Sequence, residues 1–119
     1  IAVLNSSLFY WYFVTSSNCR DLTFREIKNF GIELDNMTKA SQTKLQKLCS
    51  ELMIDYKKYS KTKIIESKRT GKVSYQEFFP SNSKPIIDKI DEVLAIHYDF
   101  SEEELSHIKN YDLQFRMGK

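Results

Sequence analysis

The strongest pattern in this 119-residue chain is a helical stripe of apolar side chains between Thr38 and Tyr59. Lysines and glutamates lie on the other faces, so the pattern predicts one long amphipathic helix. An apolar stripe of this length is stable in water only when another element covers it. The members of the stripe are Leu45, Leu48, Cys49, Leu52, Met53, Tyr56 and Tyr59.

The segment Ile1 to Val14 adds a second constraint, because it is apolar almost all round and contains five consecutive aromatic residues, Phe9 to Phe13. A buried helix accommodates such a segment better than a surface element, and a buried strand is the alternative. Its longest uninterrupted apolar run, Leu8 to Val14, has seven residues. A membrane-spanning helix needs roughly 20, so no membrane span is expected.

Capping signals predict three further helices. A T-x-x-E capping box at 23–26 opens a short helix that ends near Asn29. Ser83, with Pro85 in the first turn, begins a helix whose apolar residues recur at helical spacing. An S-x-x-E box at 101–104 opens the last short helix.

Two segments lack the helical period. Residues 30–34 are expected to form a short extended segment, and residues 62–79 contain a turn signal, R-T-G-K at 69–72, between two β-branched runs. The second segment predicts a two-stranded hairpin, with an ordered loop as the alternative. The predicted fold class is therefore α+β, mainly α, with an apolar N-terminal helix, a long amphipathic helix, a small β-hairpin or loop, and C-terminal helices.

Charge is unevenly distributed, although the formal net charge is only +2. Residues 57–72, called the basic segment below, carry seven cations against one acid, Glu66. A cluster of this density with tyrosines nearby can follow a phosphate backbone, and the alternative is a solvated turn. Residues 88–107 are the reverse, with seven acids against Lys89, and are expected to avoid nucleic acid. The seven cations are Lys57, Lys58, Lys61, Lys63, Lys68, Arg69 and Lys72.

One pattern imitates a nuclease. Asp55 is followed after ten residues by E-S-K at 66–68, which is the order of carboxylates and lysine that binds a catalytic divalent metal in many nucleases. The sequence acid-x-Lys also occurs at 26–28 and 55–57, and Asp55 falls inside the predicted long helix. We therefore favour solvated charges over a metal site.

The remaining reactive side chains are interpreted as structural. His97 and His107 lack the spacing of a helical ligand pair, and Cys19 and Cys49 lack a neighbour that would activate a thiolate. Both cysteines are expected to be buried and reduced, as in a cytosolic protein. No catalytic, cofactor-binding or metal-binding residue is predicted.

Several phrases of the sequence resemble one protein family. Residues 4–13, LNSSLFYWYF, followed by CRDL at 19–22 and REIKNF at 25–30, resemble the end of the TaqI-like target-recognition region of bacterial restriction-modification methyltransferases.

The second half of the chain carries matching phrases. KVSYQEFFP at 72–80, SKPIIDKIDEVLA at 83–95 and NYDLQFRMG at 110–118 look like the extreme C-terminus of the fused type IIG members of the same group. Two positions depart from the family pattern. Gly31 stands where a Pro often follows the Phe, and Asp99 stands where a Gly usually precedes the Phe.

The resemblance implies that the chain is a fragment of a larger cytoplasmic protein, with residues 1–34 the end of the target-recognition domain, 35–60 the long helix, and 61–119 the basic hairpin or loop with a C-terminal helical tail. Such proteins join an adenine-N6 methyltransferase, which uses S-adenosylmethionine, to a recognition region and often to a Mg²⁺-dependent nuclease. Neither catalytic signature occurs in this chain. The implied fragment is no enzyme, and its implied partners are double-stranded DNA and the parent's methyltransferase domain.

We therefore expect a DNA target-recognition or scaffold fragment, in which the basic segment neutralises phosphates while most base reading falls to residues upstream of Ile1. The alternative is a protein-interaction scaffold that docks or forms a homodimer through the long helix without contacting DNA. A local nuclease at Asp55 is a third hypothesis. A fall in duplex affinity with rising salt separates the first hypothesis from the second.

Overall fold

The computed structural model describes residues 1–117. Six α-helices and one two-stranded antiparallel sheet occupy this part of the chain, which confirms the predicted α+β, mainly α, class. In chain order the elements are α1 (Ser7–Ser16), α2 (Phe24–Asn29), α3 (Lys39–Tyr59), β1 (Lys61–Ser67), β2 (Gly71–Glu77), α4 (Lys84–Tyr98), α5 (Glu102–Asn110) and α6 (Leu113–Arg116).

The core lies between α3 and α4. Helix α3 supplies part of its predicted stripe, and α4 covers it with its own apolar face, so the chain itself provides the element that the stripe required. The expected homodimer through this helix would therefore have to use another face of α3. The central buried residues are Leu45, Leu48, Leu52, Ile87, Ile90 and Leu94.

Two members of the predicted stripe are exposed. Met53 is 37% exposed and Tyr59 is 38% exposed. Met53 lies at the edge of the stripe, about 100° around the helix from Leu52, and Tyr59 is the last residue of α3. Tyr56 is half-buried, and its hydroxyl donates to Asn5 Oδ1 at 3.1 Å.

The prediction of one continuous helix over the N-terminal segment is wrong. A 3₁₀ turn at Val3–Asn5 precedes Ser6, which has extended backbone angles and caps α1 by accepting the N–H of Phe9 at 3.0 Å. The segment is also less enclosed than predicted, because α1 buries only its first turn, Ser7 to Phe9, and Tyr10 to Val14 are half-buried. Within residues 1–117 no helix is both long and apolar enough to cross a membrane.

A buried carboxylate fixes the start of α1. Asp91 of α4 is 2% exposed and accepts the N–H groups of Ser7 at 3.2 Å and Leu8 at 3.0 Å. The first N–H groups of a helix have no acceptor within it, and the helix dipole favours a negative charge there. Burial raises the pKa of Asp91, an effect that the N–H groups of Leu8 and Ser7 and the charge of Lys84 partly offset.

Helix α6, which the sequence pattern does not predict, packs against the start of α1. Arg116 Nη2 donates to Ser7 Oγ at 2.7 Å, and its guanidinium carbon lies 4.7 Å from the centroid of the Tyr10 ring. The short helix therefore holds the far end of the described chain against the first turn of α1.

Two loops contain a residue with a positive φ. The expected extended segment at 30–34 is wrong, since Phe30 keeps helical angles, Gly31 has a φ of +74° and Leu34 begins a 3₁₀ turn. Asp99 ends α4 with a φ of +56°, in the left-handed region that Gly adopts most readily.

We expect Leu52→Ala to lower the free energy of unfolding by about 2–5 kcal/mol, because it creates a cavity at a position with 0% exposure. Ile54→Ala, two residues away and 68% exposed, is the matched control and should change stability by less than about 0.5 kcal/mol. Denaturant midpoints measure both. Equal midpoints would show that the buried face of α3 is misassigned.

Asp91→Ala leaves the N–H groups of Ser7 and Leu8 without their acceptor. Each buried N–H in that state costs about 1–3 kcal/mol, so the variant is expected to lose at least about 2 kcal/mol of stability. Glu92→Ala is the control, since Glu92 forms an exposed pair with Lys109 that is worth about 1 kcal/mol or less. A smaller loss for Asp91→Ala than for Glu92→Ala in chemical denaturation would refute the capping role.

Candidate nucleic-acid interface

Residues 61–77 form a regular hairpin, which confirms the first of the two alternatives predicted for residues 62–79. Strands β1 and β2 pair antiparallel from Lys61 opposite Glu77 to Ser67 opposite Gly71, with residues 68–70 forming the turn. Gly71 has a φ of +72°, which a residue with a Cβ adopts only with strain. The N–H of Arg69 donates to Ser67 Oγ at 3.3 Å and supports the turn.

Cross-strand pairs of β-branched and aromatic residues stabilise the strands. Ile65 lies opposite Val73, and Lys63 lies opposite Tyr75. The two strands make most of their contacts with each other, whereas the helices pack among themselves.

The hairpin is exposed on both faces. Only Ser67 and Glu77, at the strand ends, are partly shielded. The described chain is elongated, with extents of 52, 31 and 30 Å. A two-stranded sheet with both faces in water is marginally stable, and such an element is typical of one that another molecule covers.

The seven predicted cations lie along this hairpin and at its root, and all are exposed. Two of them lie in the last turn of α3, two in β1, two in the turn of the hairpin and one in β2. In that order they are Lys57 and Lys58, Lys61 and Lys63, Lys68 and Arg69, and Lys72.

Three of these cations already have an intramolecular neighbour. Lys63 Nζ lies 2.8 Å from Glu77 Oε2, and the hydrogen bond and charge of Glu77 raise the pKa of Lys63. Lys58 Nζ lies 4.9 Å from the ring centroid of Tyr59, and Lys61 Nζ lies 5.4 Å from that of Phe79.

The other four, Lys57, Lys68, Arg69 and Lys72, form no ion pair with the residues that the structure describes. They are the side chains most readily available to an anionic ligand. Arg69 and Lys68 lie together at the tip, and Lys57 lies at the root.

The acids at 88–107 divide between the surface and the interior. Glu102, Glu103 and Glu104 occupy the exposed first turn of α5, where the helix dipole favours them. Asp91, in contrast, is the buried cap of α1. Its position within the apolar stripe of α4, beside Ile87, Ile90 and Leu94, is the sequence signal that indicates this burial.

The metal site that the nuclease hypothesis requires is not assembled in the described residues. Asp55 Oδ2 accepts the Ser83 hydroxyl at 3.0 Å and joins α3 to the 3₁₀ turn Pro80–Ser83. Glu66 lies in exposed β1. Across residues 1–117 no three His, Cys, Asp or Glu side chains are grouped to hold a metal ion.

The histidines and cysteines lie apart from the hairpin's cations. The ring of His97 packs edge-on against Tyr98 with centroids 4.9 Å apart, and that of His107 lies 5.7 Å from Tyr111. Cys49 is half-buried beside the core, but Cys19 is exposed, contrary to expectation. Cys19 lies in the polar break after α1 with a φ of +59°, and its thiol donates to the carbonyl oxygen of Val14 at 3.4 Å, at the solvent-exposed end of that helix.

Comparison with protein-family models, curated proteins and solved structures finds no match to this chain.

Gly71→Ala is expected to loosen the hairpin without unfolding the helical body, because the added Cβ meets no atom within 4 Å and the penalty is purely the positive φ. That penalty is about 1–2 kcal/mol, equivalent to roughly 5- to 30-fold faster amide exchange at Ile65 and Val73. Exchange in α3 and α4 serves as the internal control and should not change. Equal acceleration in the helices would show that hairpin and body unfold as one unit.

Proposed function

We propose that this chain contacts double-stranded DNA through its basic hairpin, as a target-recognition or scaffold fragment of a bacterial restriction-modification methyltransferase. The proposal depends chiefly on one observation: a hairpin exposed on both faces carries unpaired cations at its root and tip. In this proposal the parent protein, not this fragment, binds S-adenosylmethionine and carries out methyl transfer.

The dimensions of the hairpin suit a duplex. Seven residues at about 3.4 Å each give strands of roughly 20–24 Å, so cations at the tip and at the root are separated by more than the width of the major groove, about 12 Å. Lys68 and Arg69 can therefore meet phosphates on one side of the groove while Lys57 meets phosphates on the other. Contacts of this kind position a duplex without reading its sequence.

The charge distribution favours one orientation of the chain on the duplex. DNA repels the carboxylates in the first turn of α5 and attracts the hairpin, so the acidic helices turn away from the duplex. The methyltransferase parent is supported separately, by the resemblance of the phrases at 4–13, 19–22, 25–30, 72–80, 83–95 and 110–118 to that family.

A second candidate function, a scaffold without DNA contact, is favoured by exposed apolar side chains around α2. Phe24 is 78% exposed, Leu22 is 52% exposed and Leu34 is 56% exposed. Solvent-exposed side chains of this size are typical of a surface that another domain covers. The two functions are compatible in one fragment, since α2 and the hairpin are separate elements.

The test compares two triple variants of equal charge change in duplex titrations over a range of salt concentrations. Lys57→Gln, Lys68→Gln and Arg69→Gln remove the unpaired cations of the root and the turn. Each lost phosphate contact lowers the slope of log affinity against log salt by about 0.9, so the slope should fall by up to about 2.7 and affinity should drop for all duplexes alike. The control, Lys39→Gln, Lys44→Gln and Lys47→Gln, removes three exposed lysines from the other half of α3.

If both triple variants change the slope equally, the attraction comes from net charge and not from the hairpin. If neither changes it, or the unmodified chain shows no salt-dependent binding, the scaffold function without DNA contact replaces the proposal.

A further inference from the structure

The register of the hairpin separates its side chains into two faces of different chemistry. Residues opposite each other in an antiparallel pair lie on the same face, and neighbours along a strand alternate. One face, the paired face, contains the Lys63–Glu77 ion pair and most of the apolar side chains. Its members are Lys61, Lys63, Ile65, Ser67, Gly71, Val73, Tyr75 and Glu77.

The opposite face, the polar face, consists of three cross-strand pairs that are polar except for one isoleucine. The pairs are Thr62 with Gln76, Ile64 with Ser74, and Glu66 with Lys72. All six residues are exposed. Within residues 1–117 none of their side chains makes a hydrogen bond or an ion pair, so their donors and acceptors are free.

The polar face contains a side chain for each type of base edge in the major groove. Glutamine pairs with adenine, lysine with guanine, and glutamate accepts from cytosine, while apolar groups contact the thymine methyl. Gln76, Lys72, Glu66 and Ile64 provide these four types, and the hydroxyls of Thr62 and Ser74 can contact several bases. The paired face offers fewer, because Ile65 and Val73 cannot hydrogen-bond and Lys63 is engaged by Glu77.

We infer that the polar face of the hairpin lies against base edges in the major groove and reads part of the target sequence, with Gln76, Lys72 and Thr62 as specificity-determining residues. This inference rests on the proposed function, because it requires the same hairpin to bind the duplex. The major groove admits a two-stranded ribbon. In this orientation the turn and root cations reach phosphates at the groove edges, and the apolar residues of the paired face point away from the DNA.

The test uses the full chain and a pool of duplexes with a randomised central segment. Duplexes retained by the unmodified chain are sequenced, and affinity is then measured for a retained duplex and for the unselected pool. The reading variants are Gln76→Met and Thr62→Val, which keep the size of the side chain and remove its hydrogen-bonding groups. The matched control is Val73→Thr, an isosteric change on the paired face.

The unmodified chain should retain duplexes that share a short motif. Gln76→Met should lower the ratio of the two affinities by about 5- to 150-fold, the range for one bidentate base contact, with the loss confined to one A·T position of the motif. Thr62→Val should lower it less. Val73→Thr should leave the ratio unchanged, and all three variants should keep the salt slope and the affinity for the unselected pool.

The outcomes separate this inference from the function on which it rests. Salt-dependent binding without a shared motif, or a motif that Gln76→Met leaves intact, overturns base reading by the polar face while DNA contact stands. A motif that Val73→Thr alone disturbs assigns reading to the other face and also overturns the inference. Absence of salt-dependent binding to the pool overturns both.

Discussion

The fold depends on a hydrogen-bonded carboxylate that joins residues more than eighty positions apart in sequence. Asp91 accepts the first free N–H groups of α1, and Arg116 donates to the hydroxyl of Ser7, so three helices meet at one polar cluster centred on the buried Asp91. A buried carboxylate is favourable only when its partners are fixed. The cluster therefore specifies where α1 starts and how it lies on α4, which apolar contacts between these helices would leave variable.

The helical body and the hairpin are consequently different kinds of structure. The body is tied together by the Asp91 cluster, by the α3–α4 core and by the Asp55–Ser83 hydrogen bond at its edge. The hairpin is held at its root, where the ring of Phe78 packs against Tyr56 with centroids 6.0 Å apart and Lys61 lies over Phe79. Because α3 runs into β1 with only Ser60 between them, the body fixes the position of the hairpin's root while its strands stay exposed on both faces.

This division suits a module that recognises a charged surface. Cations held at the two ends of a ribbon supply attraction, and the side chains between them are presented in a fixed alternation. Of the described acids, Glu77 alone forms an ion pair with one of the seven cations, and the acids at 88–107 lie in α4, α5 and the turn between them. In the proposed function the helical body acts as a frame that orients the ribbon relative to the remainder of a methyltransferase.

Local pattern alone determined the main elements: the stripe of α3, the capping boxes before α2 and α5, and the alternation and turn glycine of the hairpin were all readable, because each depends on neighbours a few residues away. The clustering of the seven cations was equally visible, because all lie within sixteen consecutive residues. Only the tertiary structure decided which cations are engaged, since the partner of Lys63 is fourteen residues away across the sheet. It also decided that Asp91 is a buried cap, that Asp55 binds Ser83, and that Cys19 is exposed. These outcomes depend on contacts between residues far apart in sequence. The helical position of Asp91 can therefore indicate its burial, but it cannot indicate which N–H groups Asp91 caps.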